Sequence, residues 1–252
     1  MSGHSKWSTI KHGKAVTDAR RSQLFTKLTR EIIAATRQGG SSPDSNFRLR
    51  IAIQKAKDSN LPSDNIDRAI KRATGEGADQ NQMVEVIYEG YGPGGAAIML
   101  ETLTDNRNRT VSDIRSTLTK AGGNLAETGA VAWQFEQKAV VVVEADEEQA
   151  DELALVAIDA GAEDFETFDS TLHVYSAPDG LETIRATMSE HEAKVTSSEV
   201  AMLPKSTVTL DDGAAMQTLR LLDRLEELDD VQRVFSNADF SDEVLERYKS
   251  EA

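Results

Sequence analysis

Residues 140–176 read VVVVEADEEQADELALVAIDAGAEDFETFDSTLHVYS, and this stretch decides the fold. The β-branched run Val140–Val143 predicts a strand, because branched side chains pack well on a pleated surface. Acidic residues then open a helix over Glu147–Ala160. Two strands are expected at Phe165–Phe168 and Thr171–Ser176. A helix at Leu181–His191 and a strand at Lys194–Val200 complete the order β-α-β-β-α-β, a ferredoxin-like split βαβ unit.

Working outward, Met83–Glu89 alternates like a strand and Ala96–Thr102 is a second apolar run, with the turn Gly92-Pro93-Gly94-Gly95 between them. A helix over Thr110–Ala121 stops at Gly122-Gly123, and Val131–Phe135 reads as a strand. Beyond residue 205, a helix over Ala214–Leu228 and a short apolar segment, Val231–Phe235, resemble the missing second half of this unit. The ferredoxin-like unit is therefore read as an insertion. The expected division is a helical domain over 1–78, an α+β domain over 79–137 plus 206–240, the inserted α+β domain over 138–205, and a tail over 241–252. The fold class is α+β: a three-helix domain followed by two α/β sandwich-like domains, the last inserted into the middle one.

The first 78 residues have a different character. A helix over 15–38 places Leu24, Phe25, Leu28, Ile32 and Ala35 on one face and groups Arg20, Lys27, Arg30 and Arg37 on another. Gly39-Gly40 ends it. Asp44 or Ser45 is positioned to cap a second helix reaching about Ser59, with Phe47, Ile51, Ala52 and Ala56 inward. A third helix carries Ile66, Ala69, Ile70 and Ala73 and stops at Gly75. Three short amphipathic helices make a small bundle.

Charge divides the chain sharply. Residues 1–75 hold 7 Lys and 8 Arg against 6 acidic residues, a balance of +9. Residues 76–252 hold 13 basic and 37 acidic residues, a balance of −24. Such a layout concentrates positive potential on one part of the molecule and points to nucleic acid. The expected contacts are Lys6, Trp7, Lys11, His12 and Lys14 in the N-terminal arm, Arg20, Arg21, Lys27 and Arg30 on the first helix, and Arg68, Lys71 and Arg72 on the third. Arg107 and Arg109 join them from Asn106-Arg107-Asn108-Arg109-Thr110, where Asn108 or Thr110 caps a helix and the arginines reach phosphate or nearby acids. Trp7, set among lysines, has two readings: stacking on an unpaired base, or plugging the arm onto the bundle. The third helix carries few base-reading amides, so contact is expected with phosphates rather than with a defined sequence.

Other chemistries find little support. Gly90-Tyr91-Gly92-Pro93-Gly94-Gly95 matches a dinucleotide fingerprint literally, but it leads into a strand, whereas a pyrophosphate site needs a helix N-terminus. The chain has no cysteine, and His4 and His12 fit no zinc spacing. Runs such as Asp146-Glu147-Glu148 and Asp229-Asp230 read as solvated helix ends. No nucleophile triad assembles. The expectation is a non-enzymatic protein without cofactor, metal or small-molecule substrate. No long apolar run or leader is visible, so a cytoplasmic location away from membranes is expected.

Several longer motifs share one resemblance. They are Met1-Ser2-Gly3-His4-Ser5-Lys6-Trp7, Ile10-Lys11-His12-x-Lys14, Asp18-x-x-Arg21, Ala52-Ile53-x-x-Ala56-Lys57 and Leu61-Pro62-x-Asp64-Asn65-Ile66. Further on come Tyr88-Glu89-Gly90-Tyr91-Gly92-Pro93-Gly94-Gly95, Thr104-Asp105-Asn106-Arg107-Asn108-Arg109-Thr110, Gly122-Gly123-Asn124-Leu125 and Leu225-Glu226-x-Leu228-Asp229-Asp230-Val231-Gln232. Together they resemble the YebC/PmpR family, which includes the mitochondrial translational activator of cytochrome oxidase. The resemblance implies one helical and two α+β domains, nucleic-acid binding and gene regulation, with no catalytic centre. It implies a DNA-binding transcriptional regulator, or alternatively an RNA- or ribosome-bound translation factor. The acidic domains either bind a protein or confine nucleic acid to the bundle by repulsion.

Overall fold

A computed structural model describes residues 18–75, 83–168 and 170–251. Three helices come first: α1 (Asp18–Gly39), α2 (Phe47–Asp58) and α3 (Ser63–Thr74). Their shared core is Leu28, Ile32, Ile33, Ala35, Leu49, Ala52, Ala56, Ile66, Ala69 and Ala73. Three expected core residues lie outside it: Ile51, only half-buried and with Ile53 packing against the core instead, and two exposed ones. Leu24 is 38% exposed and Phe47 is 54% exposed. Leu49, Ala52 and Ala56 follow the i, i+3, i+7 spacing of the inner face, which leaves Phe47 on the far side, its ring 5.4 Å from the Arg50 guanidinium.

Asn46, rather than Asp44 or Ser45, caps α2. Its Oδ1 accepts from Leu49 N (3.0 Å), and its Nδ2 donates to the carbonyls of Ala35 (2.8 Å) and Gly40 (2.7 Å). One buried side chain thus ties the end of α1 to the start of α2. Replacing it removes a cap and strands two carbonyls. Asn46→Ala is expected to cost about 2–4 kcal/mol, read as a lower urea midpoint with an unchanged slope.

The second unit is built on β1 (Val84–Tyr91) and β2 (Ala97–Thr104), paired antiparallel from Val84↔Thr104 to Tyr91↔Ala97. The turn between them contains Gly94 at φ +69, and a Cβ there would stand 2.7 Å from Leu210. The glycine string is a hairpin turn. Helix α4 (Arg107–Lys120) follows, then a two-residue strand β3 (Asn124–Leu125) on the outer edge of β1. Asn106, not Asn108 or Thr110, caps α4 by accepting from Arg109 N at 3.1 Å.

Val131–Phe135 is not a strand: Ala132–Gln134 form a tight 3-10 turn. Glu89, buried at the end of β1, holds this loop by accepting from the amides of Gly129 (2.7 Å), Val131 (2.6 Å) and Ala132 (2.9 Å). Burial pushes its pKa up, but the three amide hydrogen bonds outweigh that and hold it below the ordinary value.

From Phe135 the chain enters a single long strand, β4 (Phe135–Glu144), followed by α5 (Glu147–Asp159), β5 (Asp164–Phe168), β6 (Thr171–Ser176), α6 (Leu181–Glu190) and β7 (Lys194–Pro204). The sheet order is β5-β6-β4-β7 and every pair is antiparallel, the ferredoxin-like arrangement. Its helices cover one face through Val141, Val143, Leu172 and Val174 against Ala150, Ala154, Ala157, Ile184 and Met188.

The chain then makes a short strand β8 (Val208–Thr209) and α7 (Asp212–Glu226) before β9 (Val231–Ser236) returns antiparallel to β2. Strand β10 (Ala238–Asp239) pairs with β8. The first sheet therefore runs β3-β1-β2-β9, closed by residues from both sides of the ferredoxin-like unit. One face takes Ile98 and Leu100 against Ile114, Leu118, Leu219 and Leu222. The other takes Ala97, Met99 and Phe235 against Val131, Phe135 and Ala201. Burial on both faces explains why β2 reads as a continuous apolar run rather than an alternating one. Residues 241–252, expected as a tail, contain α8 (Asp242–Glu251), which inserts Val244, Leu245 and Tyr248 into the first of these cores.

Candidate nucleic-acid interface

The amphipathic pattern that buries Leu28, Ile32 and Ala35 turns another stripe of α1 outward. Arg21, Phe25, Thr26, Thr29, Arg30, Ile33 and Arg37 recur at helical spacing. With Arg72 of α3, Met83 and Asp105 they line a cavity of about 630 Å³. Arg68 and Lys71 lie exposed on the same helix as Arg72. Among the described residues, Lys71 and Arg72 meet no carboxylate within ion-pair distance, while Arg68 donates to Asn65 and to the Asp64 carbonyl (3.1 Å) of its own helix. Four arginines around one concavity and two further cations beside it make a strongly electropositive recess.

Not every cation of the bundle is given over to that recess alone. Lys27 donates to the Glu226 carbonyl and Gln23 to the Glu227 carbonyl (2.9 Å). These are the last carbonyls of α7, where the helix dipole favours positive charge. Arg30 donates to the Asp229 carbonyl (2.6 Å) and to Asp230 Oδ1 (2.9 Å). Along a second seam, Arg48, held by Glu31 of α1 (3.0 Å), pairs with Glu85, and Lys55 pairs with Glu199 (3.4 Å). Part of the basic excess thus docks the bundle onto the acidic remainder of the molecule.

Asp230, expected as a solvated helix end, is buried at the centre of this docking. Arg109 reaches its Oδ2 through Nε (3.2 Å) and Nη2 (2.7 Å), and the Thr110 hydroxyl lies 2.8 Å from the same oxygen. Burial works to raise the Asp230 pKa. The hydrogen bonds from Arg109 and Thr110, with the charges of Arg109 and Arg30, prevail and hold it below the ordinary carboxylate value. A second cavity, of about 500 Å³, opens over this group between Gln23, Arg30, Arg109, Asp113 and Asp229. Arg30 lines both cavities.

The residues expected at the interface therefore separate. Arg21, Arg30 and Arg72 come together at the recess, and Arg68 and Lys71 flank Arg72. Arg107 is exposed at the start of α4, its carbonyl 3.4 Å from the Tyr88 hydroxyl. Lys27 and Arg109 are instead engaged inside the molecule, by α7 and by Asp230 and Asp105. Arg20 lies on α1. Lys6, Trp7, Lys11, His12 and Lys14 fall outside the described residues. Arg37 and Phe25 line the recess without being expected there, although their spacing from Arg30 and Arg21 carries the signal. Among the described residues no group of three or more acidic, histidine or cysteine side chains could hold a metal ion. No described helix is long and apolar enough to cross a membrane.

The family model described as the TACO1/YebC protein N-terminal domain matches residues 5–76, and that for the TACO1/YebC second and third domain matches residues 83–238. The chain belongs to the TACO1/YebC family. A probable transcriptional regulatory protein of Dehalococcoides mccartyi is 57% identical over 252 residues, covering 100% of both chains. One from Pelotomaculum thermopropionicum is 51% identical over 244 residues, 96% of this chain and 100% of the relative. Among solved structures, the crystal structure of a conserved hypothetical protein, Aq1575 from Aquifex aeolicus, is 44% identical with a TM-score of 0.82, covering 89% of this chain and 93% of that one. In this TACO1/YebC chain the boundary between the two family models falls at residues 77–82, between α3 and β1 in chain order.

Proposed function

We propose that this protein is a non-enzymatic, nucleic-acid-binding regulator of gene expression that grips the phosphate backbone. The observation that carries the reading is the recess in which Arg21, Arg30, Arg37 and Arg72 converge, with Arg68 and Lys71 beside it. Guanidinium groups suit phosphate because their planar donors match its oxygens. The names of the relatives favour transcription, and hence duplex DNA in the cytoplasm as the ligand. A second reading rests on the shape of the site. A concave pocket containing Phe25 suits an unpaired, splayed nucleotide of structured RNA better than a regular duplex, whose readers present a convex helix or ribbon to the groove. Helix α3 does not supply such a reader, since its exposed side chains include Asp64 and Asp67 beside the cations.

Both readings assign the N-terminal arm to the ligand. Replacing Lys6, Lys11 and Lys14 together by Gln is expected to weaken binding by roughly 10-fold or more, measured in parallel by duplex DNA gel shift and ribosome co-sedimentation. Trp7→Ala is expected to harm RNA association more than duplex association. Unchanged binding by the triple variant in both assays would remove the arm from the interface, and no binding to either nucleic acid would overturn the function.

A further inference from the structure

We infer that the outer edge of the ferredoxin-like unit docks a basic, extended segment of a protein partner, which adds as a strand to β5. Strand β5 pairs only with β6 among the described residues, so the main chain on its other side is open. An open edge is a template for another strand. Beside it lies apolar surface that the fold does not use. Leu155 is 66% exposed, Ile158 47% and Phe165 38%.

These three side chains share one location for reasons of geometry. On α5, Ala150, Ala154 and Ala157 face the sheet, while Leu155 and Ile158, three residues apart, project from one flank. Leu153, Val156 and Ala160 are half-buried on the opposite flank, toward α6. The flank bearing Leu155 and Ile158 is therefore the one at the β5 side of the sheet. Phe165 is paired with Val174, whose side chain lies in the helix-covered core, so Phe165 points to that same side of the sheet. Helix α5 packs over β5, so Ile158 and Phe165 belong to the same side of the sheet. An apolar strip thus runs along an unpaired strand, an arrangement rare on a surface that serves no partner.

Charge selects the occupant. Residues 138–205 hold 16 acidic and 4 basic side chains. Asp151 and Asp159, four residues to either side of Leu155 on α5, are exposed beside the strip. A second copy of this chain would set these carboxylates against one another across the new ladder, and like charges facing each other across strands are unfavourable. A segment alternating Lys or Arg with branched apolar residues satisfies both features. Its side chains on one face cover Leu155, Ile158 and Phe165, and its cations meet the acidic rim.

The test uses the full-length protein and an acetylated hexapeptide alternating lysine and valine. Backbone amide exchange is followed by NMR, and affinity by fluorescence anisotropy of a labelled peptide. The expected result is added protection confined to amides of Asp164–Phe168, with binding weakened roughly 10-fold or more by Leu155→Ser combined with Ile158→Ser. These substitutions are at exposed positions and leave the core intact. Asp151→Lys combined with Asp159→Lys is expected to weaken it similarly, while nucleic-acid binding stays unchanged. Equal binding of the glutamate–valine counterpart, protection elsewhere, undiminished binding by both variants, or no binding at millimolar peptide overturns the proposal. So does dimerisation abolished by the serine variant, which would assign the face to a second copy.

Discussion

Asp230→Ala should destabilise the protein by about 3 kcal/mol or more, among the largest losses any single surface-proximal substitution here can produce. Removing one partner of a buried ion pair leaves the other charge uncompensated, which typically costs about 3–5 kcal/mol. Here two arginines and a threonine hydroxyl lose their common acceptor. Partial exposure of Arg109 places the effect toward the lower end of that range. Arg30 comes from the bundle and Arg109 from α4, so the substitution also loosens the seam between them. Differential scanning calorimetry of the variant should show a lower Tm and earlier unfolding of the bundle. The pH dependence follows from the same geometry. Asp230 has a folded pKa below its unfolded value, so its contribution is complete above the unfolded value of about 4 and fades as pH falls below it. Glu89 acts in the same direction. Asp230→Asn should therefore flatten the acid limb of the stability profile below about pH 4 while lowering stability at neutral pH. A variant as stable as the parent, with an unchanged acid limb, would show that Asp230 does not hold the seam.

Replacing Arg68, Lys71 and Arg72 together by Gln should weaken nucleic-acid binding by roughly 100-fold at low salt with little effect on Tm. For every phosphate that is no longer neutralised, the slope of log affinity against log salt should shrink by about 0.9 for a duplex and about 0.7 for a single strand, so three such phosphates reduce it by about 2 to 3. The three side chains are exposed on α3, while Ile66, Ala69 and Ala73 secure that helix from its other side. The reference is Lys55 and Lys57 replaced by Gln, on α2: Lys55 pairs with Glu199, and neither lines the recess. Filter binding over a series of salt concentrations separates the two variants. Equal losses would mean that diffuse positive charge, rather than the α3 face, holds the ligand.

Much of this architecture is legible in the residues, because local patterns mark it. The valine run at 140–143 and the 3.6-residue period of α5 and α6 announce the ferredoxin-like unit. The apolar segment after α7 announces the strand that closes the first sheet. Legibility ends where distant residues decide. Polar Glu136-Gln137-Lys138 splits β4 into two apparent pieces, yet the strand is continuous because β7 pairs with it from Phe135↔Pro204 to Glu144↔Lys194. Phe47 and Leu24 are apolar and near the helical stripe, but their environment depends on what packs opposite. Asp230 looks like any acidic helix end, since its partners stand 120 and 200 residues away. For the same reason the charge excess of the bundle could be counted but not apportioned. Lys27, Arg48 and Lys55 serve docking, while Arg72 and its neighbours face outward, and only the tertiary arrangement distinguishes them.

The most direct test of the central claim is a salt titration of the unaltered full-length protein against a generic DNA duplex of about 30 base pairs and a structured ribosomal RNA fragment. If the cationic recess grips phosphate, log affinity for the true ligand falls linearly with log salt, losing on the order of 10³-fold between about 50 and 200 mM. Affinity that is negligible for both ligands at the low-salt end, or that stays flat across that range, contradicts it.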